Sequence, residues 1–163
     1  MSPEWHPDDS LLERDEKGEV AGARRVKDAL QKHGVSFENR VVTSRDPGMD
    51  ALRRDLARPA QPEGVERSQL PVTLGSREDV VCFETRMQPG AKVPEHRHGH
   101  SVFRFVISGS LKYRDSVLGP GDWMVVPPEQ PYAIEAGPEG CVVFYAHSSP
   151  TPPAPGPGPS PTG

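Results

Sequence analysis

The chain has 163 residues, 34% hydrophobic and 26% charged, with 19 Lys and Arg against 23 Asp and Glu for a formal charge of −4. That length suits one domain, and 20 prolines with 16 glycines exclude a helical bundle, because both residues break helix interiors. A mildly acidic chain with no Lys/Arg stripe offers a phosphate backbone little, so nucleic acid is excluded as a partner.

The opening MSPEWHPDDS lacks the basic start and apolar stretch of a signal peptide, and no apolar run is long enough to span a bilayer. A cytoplasmic protein without membrane contact is expected. Residues 1–66 are dense in charge and read as a polar, partly helical N-terminal extension. Within it Ala23, Val26, Ala29 and Leu30 recur at helical spacing before Gly34, which predicts a helix over 20–33. A short strand is expected over 37–42. Met49, Leu52 and Leu56 then form a narrow stripe ending before Pro59, which predicts a second short helix.

From Leu70 the texture changes to short β-rich runs divided by turn residues: LPVTL, DVVCFETRM, SVFRFVI, SLKYR, DWMVV, PYAIEA and CVVFYAH. Seven or eight such strands without crossover helices predict an antiparallel sandwich or barrel over 67–148. Cys82 and Cys141 lie in these runs, away from any CxxC spacing, and read as reduced core thiols. Residues 149–163 hold only Pro, Gly and small side chains, and read as a disordered tail.

The chemistry concentrates at His96, His98 and His100. Alternate residues of an extended strand point the same way, so His96 and His98 share a face, and imidazoles presented together begin a site for zinc, nickel, copper or iron. A solvent-facing His-rich turn is the plain alternative. The segment from Gly90 through AKVPE to His96 and His98, followed by Gly109, resembles the first signature of the cupins. Gly121-DWMVV-Pro127 and the residues to Tyr132 resemble the second. The resemblance covers roughly residues 76–147. It implies an all-β, single-domain cupin double-stranded β-helix, a jelly-roll barrel, here with a short helical N-terminal extension.

Two positions depart from the family pattern. Where a glutamate ligand is usual this chain has Val102, and where a third histidine is usual it has Tyr132. A divalent metal (zinc, nickel or iron) would then rest on His96 and His98, completed by Tyr132, His100 or water, and no organic cofactor is expected. Strand parity puts Arg104 and Val106 on the side of Val102, with Phe103, Phe105 and Ile107 opposite. A buried guanidinium needs a partner, either a structural carboxylate such as Glu84 or an anionic ligand. On the last strand Tyr145 and His147 share a side and are candidate substrate contacts beside Arg104. Trp123 and Met124 fit a core or a dimer interface.

The resemblance implies a small-molecule enzyme with oxygenase, isomerase, cyclase or lyase chemistry, in which His96, His98 and Tyr132 are the catalytic candidates. The alternative is a non-enzymatic ligand-binding or sensory cupin without metal, whose barrel captures a small anion. A bare scaffold barrel is the third reading. Exposed sheet faces and edges make a homodimer the expected assembly.

Overall fold

The computed structural model describes residues 4–36, 40–71 and 80–148. A short 3-10 helix, Ser10–Leu12, precedes α1 (Ala21–Lys32) and α2 (Met49–Asp55). Eight strands follow: β1 (Ala57–Arg58), β2 (Val65–Gln69), β3 (Val80–Met87), β4 (Lys92–His96), β5 (Val102–Tyr113), β6 (Ser116–Leu118), β7 (Trp123–Val126) and β8 (Tyr132–Ser148). The protein is thus an all-β barrel with a small helical N-terminal part, as the sequence implied. No described helix is long and apolar enough to cross a membrane.

Every strand pairing is antiparallel, and two long strands organise the barrel. The C-terminal half of β8 lies between β3 and the start of β5, which also pairs β7; β3 continues through β2 to β1. The N-terminal half of β8 pairs β4 and the end of β5, which in turn pairs β6. β5 and β8 therefore pass from one sheet into the other, and their register slips between Val106 and Leu111 where they do so. Gly109 makes this bend possible. Its φ is +71°, and any Cβ there would run into the Gly140 carbonyl oxygen and Cys141.

This bend corrects the strand list read from sequence. SVFRFVI and SLKYR are one strand, and so are PYAIEA and CVVFYAH, because their glycines swell a continuous ladder instead of ending it. Four strands are absent from that list: β1, β2, β4, which carries His96, and β6. β2 lies before the expected LPVTL, so the boundary drawn after residue 66 falls within it; most of LPVTL lies outside the described residues. Of the strand expected over 37–42, residues 40–42 are irregular and the rest are outside the described residues, as is the tail from 149.

The extension contributes to two cores. Leu11, Leu12, Val20 and Ala23 join the barrel core of Val81, Phe83, Val106, Leu111 and Val143. Val26, Ala29 and Leu30 of α1 instead meet Met49, Leu52 and Leu56, the stripe expected of α2. Arg25 fastens α1 to the barrel, donating to the Gln69 side chain and to the carbonyls of Asp55 and Ala57. Cys82 and Cys141 are buried free thiols, and burial pushes Cys141 up to about 11.

Candidate functional site

The inner face of β5 follows the parity expected of it: Val102, Arg104 and Val106 are at most 1% exposed, whereas Phe103, Phe105 and Ile107 are 37–49% exposed. Register sets what these side chains meet across the ladder. Val102 faces His147 and Arg104 faces Tyr145 on β8, while Tyr132 at the start of β8 faces His96 of β4. The position of the missing glutamate is thus faced by an imidazole on the neighbouring strand.

His96, His98, His100 and His147 are all buried. The His98 ring lies 4.9 Å from His96, 5.4 Å from His100 and 4.7 Å from His147. Asp9, from the segment before α1, accepts a hydrogen bond from His98 Nδ1 at 2.9 Å. A carboxylate only accepts, so this bond places a proton on Nδ1, and His98 Nε2 is buried and without a partner. His96 repeats the pattern, with Nδ1 on the Pro94 carbonyl at 2.7 Å and Nε2 buried and unpartnered. His100 Nε2 contacts His147 Nδ1, and His147 Nε2 contacts the Tyr145 hydroxyl.

Burial favours the neutral form of His96, His100 and His147. It pushes His96 down to about 4, holds His100 below the ordinary histidine range, and, helped by the neighbouring rings of His98 and His100, holds His147 far below it. Neutral imidazole is the metal-binding form. One ligand atom from each of Asp9, His98, His100 and His147 lies within 4.8 Å of the others. Three nitrogens and one carboxylate suit zinc, nickel or iron(II), and Asp9 brings the negative charge that Val102 does not.

Of the residues singled out from sequence, His98 and His100 are in this group, and so is His147, which the sequence suggests as a substrate contact. His96 is not among the four. Its ring is tilted against Tyr132 at 4.4 Å, and the Tyr132 hydroxyl accepts a 2.8 Å hydrogen bond from Arg104 Nη2. Arg104 does not use Glu84, which sits on the outer face with Arg53 at 3.2 Å and Arg86 at 2.8 Å. Trp123 is exposed and stacks at 6.4 Å on Phe103, while Met124 is half-buried against the core.

Two residues that reach the site, half-buried Asp9 and buried Arg67, carry no signal in the sequence. Asp9 stands 89 positions from its partner, in a stretch that resembles any acidic linker. Arg67 lies on β2, whose inward residues are Val65, Arg67 and Gln69. With two of three inward positions polar, no alternation of apolar residues marked the strand.

Asp9 belongs to a strap across the barrel. Leu11 and Leu12 are buried in the core, Asp8 pairs with Arg58 at 2.6 Å, Trp5 Nε1 donates to the Ala60 carbonyl at 3.0 Å, and the Trp5 ring sits edge-on to His96 at 5.2 Å. Beneath the strap, a cavity of about 10 Å³ touches Asp9, Arg67, Tyr145 and His147, room for about one water.

The profile of the ChrR Cupin-like domain family matches residues 55–150, a span that holds the three histidines and leaves Asp9 outside. No curated protein matches the chain. Among solved structures, KdgF from Halomonas sp. is 19% identical over 58% of this chain and 86% of its own, with a TM-score of 0.49. The polyketide cyclase RemF from Streptomyces resistomycificus is 23% identical over 62% and 79%, also at 0.49. The Rhodobacter sphaeroides complex of SigE with the anti-sigma ChrR is 16% identical, covering 73% of this chain and 55% of that one at 0.45. At these identities the likeness concerns the fold.

Proposed function

The chain belongs to the ChrR Cupin-like domain family, and from that premise we propose that it is a divalent-metal cupin that works on a small molecule inside its barrel. The observation that carries this reading is the convergence of Asp9, His98, His100 and His147 within 4.8 Å. The ligand set is displaced from the one the motifs implied: His147 and Asp9 take the parts that Val102 and Tyr132 cannot. A divalent cation held there would supply Lewis-acid polarisation of a carbonyl or an activated water.

In the enzymatic form of this reading, His96, neutral and with Nε2 free, is the group that can take a proton, and Tyr132, held by Arg104, is the group that can return one. Arg104 and Tyr145 orient the substrate. The non-enzymatic, sensory form is favoured by one observation, the strap whose Leu11 and Leu12 are buried in the core and whose Trp5 ring packs edge-on to His96. A homodimer remains the proposed assembly, through the outer face of β5 and β7, where Phe103, Phe105, Trp123 and Val125 are exposed.

Metal analysis of protein purified without an affinity tag tests the reading. One ion per chain is expected, lost in His98→Ala and His147→Ala and retained in His96→Ala. Retention in the first two variants overturns the ligand set, and substoichiometric metal in the parent overturns the metal reading.

A further inference from the structure

The barrel interior carries charge that the histidine cluster does not explain. Arg104 is 1% exposed and Arg67 is 7% exposed. Their guanidinium carbons lie 4.3 and 4.8 Å from the centre of one and the same ring, Tyr145. Arg104 has one hydrogen bond, to the Tyr132 hydroxyl, and its Nε is buried without a partner. Arg67 Nε is buried and unpartnered too. Among the described residues neither guanidinium comes within 4.0 Å of a carboxylate. The acid whose charge reaches Arg67 is Asp9, and Asp9 is hydrogen-bonded to His98.

A buried charge without a counter-charge costs several kcal/mol, and two adjacent charges of one sign cost more. The strain is visible in Arg67, lowered to about 10 by burial first and by Arg104 second. A guanidinium nonetheless stays protonated at neutral pH. Cation–π contact with Tyr145 offsets part of the desolvation, and a net positive interior remains. Buried charges are normally paired with an opposite charge. Here the acid within reach, Glu84, points outward on β3.

We propose that Arg67, Arg104 and the Tyr132 hydroxyl form an oxyanion subsite, which takes the carboxylate or inorganic oxyanion of the ligand beside the histidine cluster. Guanidinium forks match the planar oxygens of such groups. The Tyr145 hydroxyl contacts His147, so the ring that both guanidinium groups approach also touches the proposed metal ligands. An anion seated here would lie next to the cation site, and the strap must draw back to admit it. This inference deepens the function proposed above by giving the ligand's charge, and it does not depend on the metal.

The test is calorimetric titration of chelator-stripped, dialysed protein with sodium acetate, sodium oxalate and sodium sulfate at fixed ionic strength and pH. Saturable binding of one anion per chain at millimolar or lower dissociation constant is expected. Preference for acetate or oxalate identifies a carboxylate ligand, and preference for sulfate an inorganic one. Arg67→Met and Arg104→Met should each weaken binding at least tenfold. In anion-poor buffer, Arg67→Met should also raise the melting temperature, since it removes an uncompensated charge, and the anion-dependent rise in melting temperature should vanish. Arg67→Lys, which keeps the charge and loses the fork, should fold and bind more weakly than the parent. The absence of saturable binding to all three anions overturns the proposal, and so does unchanged affinity in the Arg67 variants. Because the protein is metal-free throughout, failure here leaves the metal analysis to stand or fall separately.

Discussion

The two ends of the β5–β8 ladder share one backbone geometry and are filled with opposite materials. At one end His147 faces Val102 and Tyr145 faces Arg104; at the other Val143 faces Val106 and Ala136 faces Leu111. All eight side chains are buried to within a few per cent. The apolar end gains free energy by leaving water, about 1.5–3 kcal/mol for a fully buried Val or Leu side chain. The polar end gains little by the same burial, because its donors and lone pairs lose water and several find no partner. One end therefore holds the barrel together and the other holds a constellation that only a bound ion or ligand completes.

This contrast can be broken by experiment. The largest effect is expected at the apolar end, where Leu111→Ala should cost about 2–5 kcal/mol in denaturant unfolding; a loss below about 1 kcal/mol would mean that the apolar end is not the foundation. Next, adding zinc or nickel at a hundred times its dissociation constant should stabilise the stripped protein by about 2.7 kcal/mol. His98→Ala should abolish that gain, and an equal gain in the variant would deny the polar end its ion.

The third effect is a pH dependence of the stripped protein. His96, His100 and His147 are held below the ordinary value of 6.5, so the unfolded chain takes up protons first as pH falls. Stability should be full above about pH 6.5 and should decline from there through about 4, where His96 itself titrates. Bound metal should move the onset of the decline to lower pH. A flat profile between 7 and 4 would contradict the burial of neutral imidazoles. The smallest effect lies outside the barrel: Glu84→Gln, which breaks partly exposed pairs with Arg53 and Arg86, should change stability by less than about 1 kcal/mol.

Much of the barrel was legible because its apolar positions repeat with period two. On β5 the alternation places Val102, Arg104 and Val106 inside, and the helical stripes of Val26, Ala29 and Leu30, and of Met49, Leu52 and Leu56, mark α1 and α2, which pack on each other. Glycine misled the reading where it shapes a bulge, since Gly109 and Gly140, at positive φ, look in sequence like the turns that end strands. The two histidines of the first motif were visible, but their completion was not. Asp9 approaches through tertiary packing of the strap, which no local pattern records. Arg67 sits on a strand whose interior face is polar, so the feature that makes it functionally interesting also hid the strand.

The histidine cluster joins residue 9 to residue 147, with partners at 98 and 100 between them. A chain made from its N-terminus holds Asp9 from the outset and must wait for the last strand before His147 can meet it. Contacts of this sequence separation form late, after loop closures that local turns and helices do not require. The cluster is therefore assembled only in a molecule whose first and last described segments have both found their places. A metal ion captured there would seal a finished barrel and bypass half-made ones, which makes cation uptake a report on completed folding as well as a step toward chemistry.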